Sequence, residues 1–330
     1  MMDEVERRIR AARPLSGNRY QPLSDRAKRE LADLLLSNPD RRSAIRRPRR
    51  PANRRRGGQL LRIVGSAAAA LVVLGTVMIS VLHQTPAVAM TPPLLETTSV
   101  DETVPALLED LEQKRRDVEL PSGNTIRAQT WSLNTTVDAK GNITSSTVEP
   151  QWNETMFEKD GSVRSLVVAA DPFPGEDTEG LTKTGTVLAD ESYARGEYAS
   201  PFAEPVPTDP ALIGSYLARA AGKDSLTAGE TIIEISGLLS NVPLDKGQEI
   251  AILSYLRTVR GLTVAGAVTD RLGRVGVALK ATDREPGELE DLLIISTETG
   301  AIIASETIYI GSDRTDIRSL SVIDYTVWER

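Results

Sequence analysis

The sequence predicts an α+β protein: a single transmembrane helix followed by an extracytoplasmic domain with a curved antiparallel sheet and helices packed on one face. Three observations predict it. Residues Ile63 to Leu82 read IVGSAAAALVVLGTVMISVL, twenty residues without a charge. The stretch from Arg41 to Arg62 just before them holds ten arginines and no acid. Beyond residue 103, strand pairs give way to three helical stretches and then to a run of alternating strands, the order of an α+β layer.

The charge-free run divides the chain. As a helix it would be about 30 Å long, enough to cross a bilayer core. A buried core helix would not need ten arginines at its entrance. A cleavable signal is the stronger competitor, because Ala87-Val88-Ala89 has the small-x-small form of a processing site. Against it, the run is longer than a usual signal core and some sixty residues precede it. Gly-Gly-Gln after Arg54-Arg55-Arg56 is a poor match to a twin-arginine signal. The reading is a retained anchor, with cleavage after Ala89 left open. The Gly65–Ala69 spacing could let two such helices approach closely.

Charge then sets the orientation. Residues 1–62 carry 18 basic and 7 acidic side chains, a net of +11; residues 63–330 carry 21 and 39, a net of −18. Basic residues beside an anchor stay on the cytoplasmic side. Arg46, Arg47, Arg49, Arg50, Arg54, Arg55 and Arg56 therefore place the N-terminus inside and the C-terminus outside. Their work is topology and headgroup contact, and no nucleic-acid partner is expected. The domains read as a basic tail over 1–62, the anchor over 63–82, a stalk over 83–102 and an extracytoplasmic domain over 103–330.

The tail holds one helical stripe. In RAKRELADLLLS, Leu31, Leu34 and Leu35 share a face with Leu23 and Ala27, after a cap at Ser24 or Asp25. One stripe cannot make a core. It either docks on a cytoplasmic protein, lies on the membrane surface, or belongs to a mostly disordered tail. The stalk, HQTPAVAMTPPLLETTSVDE, is rich in Pro and Thr without a period.

In the outer domain, Val104 to Val118 predicts a helix with Leu107, Leu108 and Leu111 on one side. Thr125 to Val137 and Ile143 to Val148 read as strands about a turn at residues 138–142. Trp152 to Phe157 and Ser162 to Ala169 read as a second pair. Residues 171–190 read as a Gly/Pro/acidic loop. Thr208-Asp209-Pro210 opens a helix to Ala221; Asp224 to Leu239 and Pro243 to Arg260 are two more. An antiparallel meander follows over 262–268, 275–279, 292–296, 302–310 and 320–328.

Chemistry is sparse. The chain has no cysteine, which removes disulfides, thiolate metal sites and cysteine nucleophiles. His83 is the only histidine and sits at the end of the anchor, so neither a Ser-His-Asp set nor a histidine metal site is expected. Nothing in the sequence calls for a cofactor. Glu285, Glu288, Glu290 and Asp291 read as a solvated acidic loop before a strand. Trp131, Trp152 and Trp328 read as core rather than as a cavity wall.

The Arg-rich entry to an Ala/Val-rich anchor, Val206-Pro207-Thr208-Asp209-Pro210, GLTVAGAVTDRLGRVGVAL at 261–279, Thr299-Gly300 and Tyr325 carry a resemblance. The chain resembles a family of actinobacterial single-pass membrane proteins often encoded beside extracytoplasmic-function sigma factors. The resemblance covers 200–330 closely and 125–170 loosely, and defines no reaction. It implies an anti-sigma-like regulatory role, with a sigma factor as the candidate partner of the tail. The tail has neither His nor Cys, so the zinc-binding form of anti-sigma tail does not apply. The outer domain also resembles half-barrel envelope proteins that hold a lipid or peptide in the concavity of a sheet. Two readings result. One is a membrane regulator or sensor with an envelope ligand on its outer domain; the other is a tethered carrier holding an apolar ligand against its sheet.

Overall fold

Ten strands of this chain hydrogen-bond into one antiparallel sheet in the order β1-β8-β9-β10-β11-β12-β2-β5-β6-β7. They are β1 (Thr97–Thr98), β2 (Thr125–Ser132), β5 (Gln151–Phe157), β6 (Val163–Ala169), β7 (Val187–Tyr193), β8 (Thr263–Thr269), β9 (Val275–Ala281), β10 (Leu289–Ser296), β11 (Ile302–Tyr309) and β12 (Ser321–Trp328). A separate hairpin pairs β3 (Asn134–Val137) with β4 (Ile143–Thr147). The helices are α1 (Val104–Asp117), α2 (Pro210–Ala220), α3 (Ala228–Asn241) and α4 (Lys246–Leu256). The computed structural model describes residues 91–330, apart from 121–122, 133, 138–142, 148–149, 174, 176–180 and 315–316; for the β3–β4 hairpin it describes the backbone alone. The expected anchor, the arginines before it and the tail leucines Leu31, Leu34 and Leu35 lie outside the described residues. Among those described, no helix is long and apolar enough to cross a membrane.

Local chemistry starts each helix where the sequence predicts or close to it. Asp209 accepts the Ala211 N–H at 2.9 Å with Pro210 in the first turn. The second helix begins later than Asp224, because Thr227 caps it. The Thr227 hydroxyl accepts from Glu230 N–H while the Glu230 carboxylate accepts from Thr227 N–H. Asp283 takes the next two free donors, Ala228 N–H at 3.1 Å and Gly229 N–H at 2.8 Å. The third helix is shorter than Pro243–Arg260, since Asp245 caps it with Gln248 and it ends at Leu256.

The helices pack on one face of the sheet. α3 lies over β9, β10, β11 and β2, while α4 stacks on α1 and α2. Leu108, Leu111, Ile213, Leu217, Ile232 and Ile235 are fully buried, in one cluster with Val277, Leu279, Leu293 and Ile295 of the sheet. Burial is worth about 1.5–3 kcal/mol per side chain in this layer. A second cluster, around Trp131, Ile294, Val322 and Tyr325, lies on the opposite face.

Strands differ from the sequence expectations too: the single strand expected over Thr125 to Val137 is two, β2 in the large sheet and β3 in the hairpin. β10 begins at Leu289, so Glu290 and Asp291 are strand residues and not loop. β7 arises inside the stretch expected to be a loop. Residues 92–98, expected within the stalk, lie against the domain: Pro92 is buried, Leu95 packs on the second cluster, and Thr97 and Thr98 pair with β8.

Candidate functional site

The helix-covered half of the sheet is filled by side chains. Where polar groups enter it, they are neutralised within it. Asp291, fully buried, accepts two hydrogen bonds from Arg284 at 2.8 and 2.6 Å and one from Thr307 at 2.9 Å. Ser236 meets Ser305 at 2.9 Å beneath α3. Arg115 and Arg330 both reach the buried Glu249. Buried charges are kept ionised only by such partners.

One acid in this region is held differently. Strand register sets Asp291, Thr307, Asp324 and Ser132 in a row across β10, β11, β12 and β2. Burial pushes the Asp324 carboxyl up to about 6; the Ser132 hydroxyl and the Arg284 charge oppose that, and Asp291 adds to it.

Past α3 the sheet continues as a wing of β5, β6 and β7, whose residues are largely half-buried on both faces. On the helix side, register and alternation bring together Gln151 and Asn153 of β5, Ser165 and Val167 of β6, and Ala189 and Glu191 of β7. Asn153 donates to Thr130 at 2.6 Å, which ties this face to β2. One end carries an aromatic rim: the Tyr198 ring meets Phe157 at 5.9 Å and Tyr193 at 5.4 Å, both edge-on. The Tyr193 hydroxyl donates to Glu191, and the Tyr198 hydroxyl to Asn241 of α3 at 3.3 Å. Amides, hydroxyls, one carboxylate and ring edges suit an extended polar ligand, since each can be matched by a hydrogen bond. They suit an acyl chain poorly, because burying them against it would leave them unsatisfied.

The far face of the wing is paired off. Arg164 forks onto Asp190 at 2.8 and 2.7 Å, and Arg127 lies over Trp152 at 4.6 Å. A groove of about 310 Å³ sits at the end of the wing, between Pro150, Ala169, Ala170, Pro172, Leu181 and Lys183.

The acidic cluster seen in sequence does not act as one group. Asp291 points inward to Arg284, Glu290 pairs with Lys280 at 3.2 Å, and Glu288 faces Asp313. Burial and the Asp313 charge raise the Glu288 carboxyl above its ordinary range, while the Tyr309 hydroxyl, donating at 2.6 Å, lowers Asp313. Among the described residues, no group of three or more metal-ligating side chains could hold an ion. Trp131 and Trp328 are buried, and Trp152 is half-buried beneath its arginine. Sequence reading gave β5 and β6 as a strand pair but missed β7, which carries two adjacent acids and lacks a clean alternation. It passed over Asp324, although an acid on the same strand face as Thr326 and Trp328 was a signal that it would be half-buried.

No protein-family model matches the chain, and neither does any curated protein sequence. Among solved structures it is similar to the MucA/MucB complex of Pseudomonas aeruginosa, at 14% identity and a TM-score of 0.27, over 68% of this chain and 55% of the matched one. It is also similar to an outer membrane lipoprotein-sorting protein domain from Vibrio parahaemolyticus, at 10% identity and a TM-score of 0.19, over 68% and 90%. A LolA superfamily protein from Nitrosomonas europaea follows at 5% identity and 0.18, over 68% and 91%. The chain spans about half the length of the MucB structures it matches.

Proposed function

We propose that this chain is a single-pass membrane regulator, not an enzyme. Its outer α+β domain receives a polar ligand or protein segment on the open wing of the sheet, and its cytoplasmic tail docks a protein through Leu31, Leu34 and Leu35. A sigma factor is the tail partner that the family resemblance suggests. The observation that carries the reading is the division of the sheet: its helix-covered half is packed solid, whereas the wing beyond α3 sets half-buried polar side chains, Gln151, Asn153, Ser165 and Glu191, beside Val167 and Ala189. A carrier for an apolar ligand needs the reverse.

One feature favours the carrier as a second reading: the apolar floor of the groove at Pro150, Ala169, Ala170 and Leu181. The two readings separate in one measurement. The full chain is purified in mild detergent and offered a fluorescent fatty acid. A carrier takes up about one equivalent, displaced by unlabelled lipid and lost in Ala169→Trp; the regulator reading expects no saturable uptake. The orientation is tested by protease added to intact spheroplasts. The domain beyond about residue 91 should be removed and the tail spared, and a protected C-terminus would overturn the assignment.

A further inference from the structure

The two edges of the large sheet are finished differently. At one edge the chain covers itself: Thr97 and Thr98 pair with Val268 and Ala267 of β8, and Arg271 donates to the Pro93 carbonyl at 3.1 Å. At the other edge β7 ends the strand order, with seven residues and no further strand beside it among the described residues. β7 contains neither Pro nor Lys, two residues that commonly blunt an exposed edge. Its Val187 side chain is 56% exposed.

Which backbone groups face outward follows from the ladder. Ala169 N–H donates to Thr186 O and Gly185 N–H donates to Ala169 O, so the backbone groups of Ala169 point towards β7. Ala170 N–H donates to Pro150 O, on the opposite side. β6 pairs with β5 without a register shift, so Val167, Ser165 and Val163 point towards β7 as Ala169 does. Their partners Ala189, Glu191 and Tyr193 close that ladder. Asp190 and Ser192 then aim their N–H and C=O groups off the sheet.

Charge selects the occupant. The described residues of 150–205, which make β5 to β7 and their connections, hold eight acidic and four basic side chains. A second copy pairing edge to edge would set Asp190 and Glu191 against the same residues of its partner, and like charges across a strand pair repel. A basic strand meets the opposite situation, and alternate side chains of an added strand fall on the face that carries Glu191. We propose that β7 is the docking edge for an extended, basic protein segment, which adds as an eleventh strand and sets its cationic side chains towards Glu191. The proposal rests on the open-wing reading above and names the partner of that site.

The probe is an eight-residue peptide alternating Lys and Val, titrated onto the full chain in detergent, beside a Glu/Val counterpart and a Lys/Val peptide N-methylated at every second residue. The Lys/Val peptide should bind at least tenfold more tightly than either control, and added salt should weaken it. Ser192→Pro removes one outward N–H without breaking the ladder to β6, and should weaken binding at least tenfold at an unchanged unfolding temperature. Glu191→Gln should weaken it several-fold. Should Ser192→Pro not fold, the N-methylated peptide still decides the point. Equal binding of the methylated and plain peptides overturns strand addition, and so does no binding of the Lys/Val peptide. Asn153→Trp, which fills the open face, separates the two levels. Loss in Asn153→Trp with equal binding of both basic peptides leaves the open-face reading standing and removes the edge. Binding indifferent to every variant removes both.

Discussion

At the scale of single residues, Asp324 shows how a sheet can hold an acid out of its ordinary range. It shares a strand face with Thr326 and Trp328, which forces the carboxyl inward. The guanidinium that could neutralise it, Arg284, is already forked onto Asp291. Asp324 therefore has one hydroxyl, from Ser132, and its carboxyl stands at about 6 against an ordinary 3.8. The folded protein holds this proton more tightly than the unfolded chain does. The contribution of Asp324 is accordingly most favourable below about pH 4, declines as pH rises through the window up to about 6, and is lost above it. Asp324→Asn keeps an acceptor for Ser132 and cannot ionise. It should raise stability at pH 7 by about 1–3 kcal/mol, and the gain should shrink towards zero by about pH 4. Denaturant unfolding of both proteins at a series of pH values checks this. A gain that does not change with pH would mean that packing, not ionisation, distinguishes the two side chains.

At the scale of elements, what the sequence made legible was whatever local chemistry determines. Asp209-Pro210 and Asp245 carry their own capping groups, and the strands of the meander alternate around Gly-containing turns, so their existence could be read from a window of a few residues. The same window misplaced the start of α3. Thr227 and Asp224 are both plausible caps, and the choice is made by Asp283, 54 and 55 residues away, which takes the Gly229 and Ala228 donors. It also missed β1 and β7, which exist only because a neighbour offers a ladder: Val268 and Ala267 for the one, β6 for the other. Two-residue β1 has no signal of its own. The signal is in its partner, where Gly266 adopts a φ of 138° and passes so close to Thr98 that a Cβ there would overlap the Thr98 carbonyl oxygen. Gly266→Ala should cost about 1–3 kcal/mol through the disfavoured backbone angle and that overlap. It should also release β1, seen as faster hydrogen exchange at Thr97 and Thr98 than in the wild type. An unchanged exchange pattern with full stability would show that β1 does not depend on the glycine.

At the scale of the whole chain, the candidate site was less legible than the fold. The sequence placed its functional residues in the tail, where charge and periodicity are strong, whereas the open wing is assembled from β2, β5, β6 and β7 by register alone. The two proposals are nevertheless linked by charge. A tail of net +11 and a remainder of net −18 call for partners of opposite character, acidic for the tail and basic for the remainder. Arg26, Lys28 and Arg29 adjoin the Leu31, Leu34 and Leu35 stripe, so an acidic cytoplasmic protein would be steered to an apolar patch. Burying three leucines is worth roughly 1.5–3 kcal/mol each, enough after ordering costs for a contact in the micromolar range. Residues 1–60 used as bait in cytoplasmic extract should therefore recover a protein that Leu31→Asp/Leu34→Asp bait loses, with at least a tenfold drop in yield. A helix lying on lipid predicts another result, binding of the wild-type bait to anionic vesicles with no protein present. A tail without a docking surface predicts a third, the same recovery from both baits. That third outcome would leave the outer domain as the only binding surface, and would make tethering, not regulation, the task of the N-terminal part.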